Sequence, residues 1–241
     1  MPDLSLLTWF LTIAVTASAA AVQGTVGIGY GLVAVPILAL IDPSLAPVPQ
    51  LLTAFPLTVV MAMRERSEID FRGLGWMIAG RVPGAALGLA LLTVATQRTL
   101  DVLIGGVVLF AVVVLGMGVT VRITKATQFA AGLASGATSL VAAIGGPPTA
   151  LLYARERAPT LRSTMAAIFV FGLLFSIGVR GLSGNIAGKD LLIGLILLPA
   201  VLAGWGMSLR LKDRLAQSTV RYAVLGVSGL AAIGLLVRAL G

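Results

Sequence analysis

The sequence contains no cysteine and no histidine. That excludes disulfides, thiolate nucleophiles, histidine metal sites and the usual proton carrier of neutral pH. Charge is scarce as well: 11% of residues are Asp, Glu, Lys or Arg, where a soluble domain carries about 25%. Acids are the rarer sign, nine against seventeen bases. Asp3, Asp42, Glu65, Glu68, Asp70, Asp101, Glu156, Asp190 and Asp213 all fall between apolar runs or at their ends. No nucleophile–base pair, carboxylate dyad or metal-ligand cluster can be assembled, which argues against an enzyme. Neither a cofactor nor a metal is expected.

What is present is apolar: 58% of the residues are hydrophobic and the mean hydropathy is +1.05. Such a chain belongs in a lipid bilayer, and its 29 glycines suit closely packed transmembrane helices. The net charge of +8 does not point to nucleic acid, because the bases occupy short loops and read as topology signals. Leu4 to Ala21 is apolar, but its leader Met1-Pro2-Asp3 lacks the basic residues of a signal peptide. It reads as a retained membrane segment.

Runs at about 73–95, 100–119, 161–181, 190–209 and 217–238 each reach the roughly 20 residues that span a bilayer as a helix. The runs 26–41 and 144–154 are short, and each follows a cluster of glycines. The chain also matches itself. Ala46-Pro47 pairs with Ala158-Pro159, Pro83 and Gly88 with Pro199 and Gly204, and Gln97 and Thr99 with Gln217 and Thr219. A duplication follows, residues 1–121 and 122–241, within one integral membrane domain. If 4–41 and 126–154 each enter and return on one side, the loops 64–72, 122–125, 155–162 and 210–221 share a face. Arg98, Arg180, Lys189 and Arg238 face the other way and Arg81 lies in the membrane, leaving twelve of the seventeen bases on the first face. That face is cytoplasmic by the positive-inside rule. Each half then makes an odd number of crossings. The expected fold is an all-α polytopic membrane protein of two inverted repeats, each a glycine-broken helical hairpin plus three transmembrane helices.

Two stretches carry the expected function. The first is Gly24-Thr25-Val26-Gly27-Ile28-Gly29-Tyr30-Gly31, running on to Pro36; the second is Gly132 through Gly136 and then Ala143-Ile144-Gly145-Gly146-Pro147-Pro148. The first superficially resembles a dinucleotide fingerprint, but no strand precedes it. Close helix packing on small residues would explain one such stretch. Two, in matching halves, point to broken helices whose N–H groups and positive N-terminal dipoles face an anion near the midplane. The candidate site is Gly27, Gly29, Tyr30, Gly31, Gly145, Gly146 and Pro147, with Thr25 and Thr149 beside the breaks. Gln23, Thr138 and Ser139 are further polar neighbours. Arg81 joins them. It sits about 12 Å past Gly73 on a 1.5 Å rise, deep in the membrane, with no partner acid in the apolar runs. Its planar fork suits sulfonate or carboxylate oxygens, although snorkelling or a bond to broken-helix carbonyls would also account for it. Gly80, Gly84 and Gly88 form one small face, and Ala200, Gly204 and Ser208 another; both read as helix contacts.

The glycine-rich stretch ending in Pro36, the later Gly-Gly-Pro-Pro and the duplicated layout resemble the sulfite exporter TauE/SafE family, also called the toluenesulfonate uptake permease family. The resemblance covers nearly the whole chain; Tyr30 stands where family members often have glycine. It implies a multi-pass permease of the bacterial inner (plasma) membrane that exports a small sulfur-containing or organic anion by alternating access, one half rocking against the other. A cation-coupled importer or a passive anion channel on the same scaffold is the alternative, and a membrane scaffold without transport is a weaker rival. The expected partners are a small anionic substrate and the lipid bilayer, without nucleic acid; self-association into a homo-oligomer is left open.

Overall fold

The computed structural model describes residues 4–211, 214 and 216–241. Met1, Pro2, Asp3, Lys212, Asp213 and Leu215 lie outside the described residues, and with them the leader reading and two of the loop charges. The described chain is all helical, without strands: α1 (Leu6–Val26), α2 (Tyr30–Ile41), α3 (Val48–Arg64), α4 (Leu74–Val94), α5 (Gln97–Gly116), α6 (Lys125–Ala142), α7 (Gly146–Tyr153), α8 (Ala158–Leu182), α9 (Gly188–Leu211) and α10 (Gln217–Leu240). Among the described residues, seven segments are long and apolar enough to cross a membrane; α2, α6 and α7 are not among them. Large apolar side chains such as Leu91, Phe110, Leu195 and Leu230 point outward, while Thr12, Thr16, Gln23, Gln50 and Thr53 are buried. A soluble protein shows the reverse, so the chain is a multi-pass membrane protein.

Local sequence sets the helix ends. α6 opens with a capping box: the Thr124 hydroxyl accepts from the Thr127 N–H at 3.1 Å, and the Thr124 N–H donates to the Thr127 hydroxyl at 2.9 Å. α1 stops at Gly27, whose φ of +94° places it in the left-handed region open to glycine. Its N–H donates to the Gln23 carbonyl at 2.8 Å. Gly29 follows at φ +129°, and α2 starts immediately after. α6 stops in the same way, but on an alanine: Ala143 has φ +54° and donates to the Ser139 carbonyl at 2.9 Å. Both breaks expected from the glycines are therefore present, the second closing two residues ahead of Gly145.

The helices pair across the sequence. α1 lies along α9 and α4 along α6. Gly204 rests against Ala17 and Ala20 while Gly24 rests against Ser208, so α1 and α9 run parallel. On the other seam Gly80 meets Phe129, Gly84 meets Leu133 and Gly88 meets Ala137, so α4 and α6 also run parallel. A side chain on Gly80, Gly84 or Gly204 would overlap the facing backbone. These are the small faces read from the sequence as helix contacts, and they let the backbones approach closely. α5 and α10 run antiparallel, with Gly105 beside Leu236 and Gly229 beside Val112. The end of α3 meets the start of α8, where Arg162 holds Glu65 at 2.7 and 3.1 Å. Arg180, counted among the loop bases, lies instead in the last turn of α8 and is 5% exposed. The backbone it serves explains its burial, as follows.

Candidate functional site

The two breaks meet. A Cβ built on Gly146 of the second would stand 3.8 Å from Ile28 Cγ2 of the first, and one built on Gly31 2.5 Å from the Ala143 carbonyl oxygen. Between them lies a cavity of about 40 Å³, room for roughly three waters. Gln23, Gly29, Tyr30, Gly31 and Leu32 line it from the first break, and Ser139, Ala143, Ile144, Gly145, Gly146 and Pro147 from the second. Ala54 and Thr58 of α3, with Phe169 and Leu173 of α8, close the sides. The N-termini of α2 and α7 both border this space. At α2 the Tyr30 N–H is spent on the Gln23 side-chain oxygen at 3.0 Å, whereas those of Gly31 and Leu32 have no partner among the described residues. At α7, Pro147 and Pro148 carry no N–H, so α7 faces the cavity with fewer donors.

The ten sequence candidates divide into three groups. Gly29, Tyr30, Gly31, Gly145, Gly146 and Pro147 line the cavity. The Tyr30 hydroxyl is engaged elsewhere, donating to Gln50 Oε1 at 2.8 Å and lying 2.6 Å from the Thr53 hydroxyl. Thr25 and Thr149 stand behind the walls. Their hydroxyls bond their own helices, to the Ala21 carbonyl at 2.8 Å and the Gly146 carbonyl at 2.8 Å, the usual habit of a lone threonine in such helices. Gly27 belongs with them outside the lining, packed on Arg162, whose Cα and Cγ lie 2.9 Å from a Cβ built there.

Arg81 is the third case. It is 3% exposed and donates from Nη1 to the Ser135 hydroxyl at 2.9 Å. Ser135 in turn donates to the Gly145 carbonyl at 2.6 Å. Its guanidinium lies on Gly172 of α8, where any side chain would overlap it. Arg81 thus stands behind Gly145 of the cavity wall, linked to its carbonyl through Ser135 and with Nη2 3.3 Å from a Cβ built on Gly145. Its other side forms part of an apolar groove of about 440 Å³ between α4 and α8.

Two further arginines hold the breaks. Arg180 donates from Nε to the Leu140 carbonyl at 2.8 Å and from Nη2 to the Val141 carbonyl at 3.2 Å. Arg64 donates from Nη2 to the Gly24 carbonyl at 3.3 Å. Each covers carbonyls that a helix end leaves open, the need that a break inside lipid creates. Neither was legible as a site residue, since both sit at the ends of apolar runs where loop bases are common. Ser135 had a faint signal in the small-residue run from Gly132 to Gly136.

A family model described as Sulfite exporter TauE/SafE matches residues 12–235. No curated protein and no solved structure matches the chain.

Proposed function

Because the chain belongs to the sulfite exporter TauE/SafE family, a family of membrane transporters, we propose that it is a secondary permease exporting a small anion of the sulfite/sulfonate or organic-acid class by alternating access. The observation that carries this reading is the meeting of two helix breaks at one buried cavity. An interrupted helix in lipid is tolerated where its backbone lines a cavity, and its N-terminal dipole favours negative charge. Two N-termini, those of α2 and α7, share this one. Arg81 adds positive charge through Ser135 and the Gly145 carbonyl. An inside-negative potential of 100 mV favours outward movement of an anion by about 2.3 kcal/mol per charge, so no coupling ion is required.

Helix pairing supports an inverted duplication of 1–121 and 122–241. Exchanging α1–α5 with α6–α10 turns the α1–α9 seam into the α6–α4 seam and maps α3–α8 and α5–α10 onto themselves. The same pairing alters the expected motion. Because α1 is seated on α9 and α4 on α6, the sequence halves are interleaved and do not rock as two bodies. The moving units are the α1–α9 and α4–α6 pairs, hinged at Gly27–Gly29 and Ala143–Gly146. The bacterial inner membrane is the setting in which this export makes sense, with the base-rich loops in the cytoplasm.

Flux from sulfite-loaded proteoliposomes under an inside-negative potential tests the reading. Wild-type protein should export with saturation and counterflow. Gly31→Ala, whose methyl meets the Ala143 carbonyl, should cut flux at least tenfold while the protein stays folded. Arg81→Gln should raise KM by about tenfold, roughly 1.4 kcal/mol. Unchanged flux in Gly31→Ala would remove the cavity from the pathway, and unsaturable flux would favour the channel.

A further inference from the structure

We propose that Gln23 is a further binding residue of the site, its side-chain amide donating to a small oxyanion held in the cavity between the breaks. That the oxyanion is cargo rests on the permease reading; the donor itself rests on geometry. Gln23 lies near the end of α1, is 4% exposed and lines the cavity. Its amide can turn only one way. Oε1 accepts the Tyr30 N–H at 3.0 Å, and the reversed amide would set hydrogen against hydrogen. The two hydrogens are therefore fixed on the other arm of the amide, on Nε2. That nitrogen has no hydrogen-bond partner among the described residues, yet it is not sealed in protein as the Trp205 indole nitrogen is. In a residue so deeply buried, the surface it keeps opens on the cavity that Gln23 lines.

The rest of the wall says what such a donor is for. An amide held among apolar groups with its hydrogens unused is costly unless an acceptor arrives. The nearest backbone groups are donors too, the open N–H groups of Gly31 and Leu32 in the first turn of α2. The other polar side chains on the cavity are already engaged. The Thr58 hydroxyl donates to the Phe55 carbonyl at 2.8 Å, and the Ser139 hydroxyl lies 3.4 Å from that of Ser176. No Asp or Glu lines the space, and Gln23 is the one lining residue with side-chain N–H groups. Pro147 and Pro148 leave the second break short of donors, so the first break must provide them. A deprotonated oxyanion only accepts, which suits this wall. Room for roughly three waters fits a sulfite or a small carboxylate.

Gln23 also caps α2 through Tyr30, so the test must separate the cap from the donor. Gln23→Glu does this. One carboxyl oxygen still accepts the Tyr30 N–H, while the other offers no hydrogen when ionised and one when protonated, against two on Nε2. Equilibrium binding of radiolabelled sulfite to the full chain in detergent reads affinity without transport, and the elution profile reads folding. Gln23→Glu should elute as the parent does and bind sulfite at least tenfold more weakly. Gln128→Glu makes the same exchange at the start of α6, where the amide holds the Arg72 carbonyl, and should bind as the parent does. The proposal is overturned if the parent binds none of sulfite, methanesulfonate and acetate, or if Gln23→Glu binds within threefold of the parent. It is equally overturned if Gln128→Glu loses as much. If Gln23→Glu does not fold, Gln23→Met decides by the same threefold limit. Binding that depends on Gln23 in a protein that transports nothing would end the permease reading while leaving this site in place. Export by Gln23→Glu with the parent's KM would remove the site and keep the permease.

Discussion

At the scale of single residues, the breaks are held open by groups that the glycines alone do not reveal. Ala143 occupies a left-handed conformation that costs an alanine about 1–2 kcal/mol. Ala143→Gly should therefore stabilise the protein by about 1 kcal/mol, read as a higher Tm in detergent. Arg180 acts in the opposite sense. Arg180→Met would strand the Leu140 and Val141 carbonyls in an apolar interior. The loss should be about 3 kcal/mol, a fall of roughly 6–12 °C in Tm. The sequence shows Gly145-Gly146-Pro147-Pro148 but not which residue turns left-handed, because the closing turn of α6 is set by its tertiary contacts. It likewise gives no sign that Arg180 folds inward, since a base at the end of an apolar run ordinarily meets the lipid headgroups.

At the scale of helices, length and apolarity located five of the seven long segments and Leu4–Ala21 a sixth, Pro43–Arg64 being the one missed, and glycine clustering located the two interruptions. The partner of each helix was less accessible. Gly80, Gly84 and Gly88 announced a close seam without saying that α6 fills it. Substitutions separate seam from surface. Gly84→Val would drive a side chain into the Leu133 backbone and should cost about 3 kcal/mol or more. Gly106→Ala and Gly226→Ala meet nothing within 4 Å and should stay within about 0.5 kcal/mol of the parent. Thermal unfolding of the purified variants checks both. The candidate site was legible to the same degree. Gly29, Gly31, Gly145 and Gly146 lie on the cavity and Gly27 packs on Arg162, while the threonines are consumed by their own helices and Arg81 stands behind Gly145.

At the scale of the whole molecule, the absence of cysteine makes topology directly measurable. In the corresponding α3–α4 and α8–α9 loops, a single Arg66→Cys should react with a membrane-impermeant maleimide only in inside-out vesicles, and Lys189→Cys only in right-side-out ones. Reaction of both from one side would cancel the inverted arrangement. The α1–α9 seam has one more consequence, for synthesis. The end of α1 leaves the ribosome 162 residues before the start of α9 (Val26 against Gly188). At about 5–20 residues per second, the first segment waits roughly eight to thirty seconds in the bilayer without its mate. Ala17, Ala20 and Gly24, which Gly204 and Ser208 cover in the folded chain, face lipid throughout, so this seam closes only late in synthesis, when the ninth helix arrives.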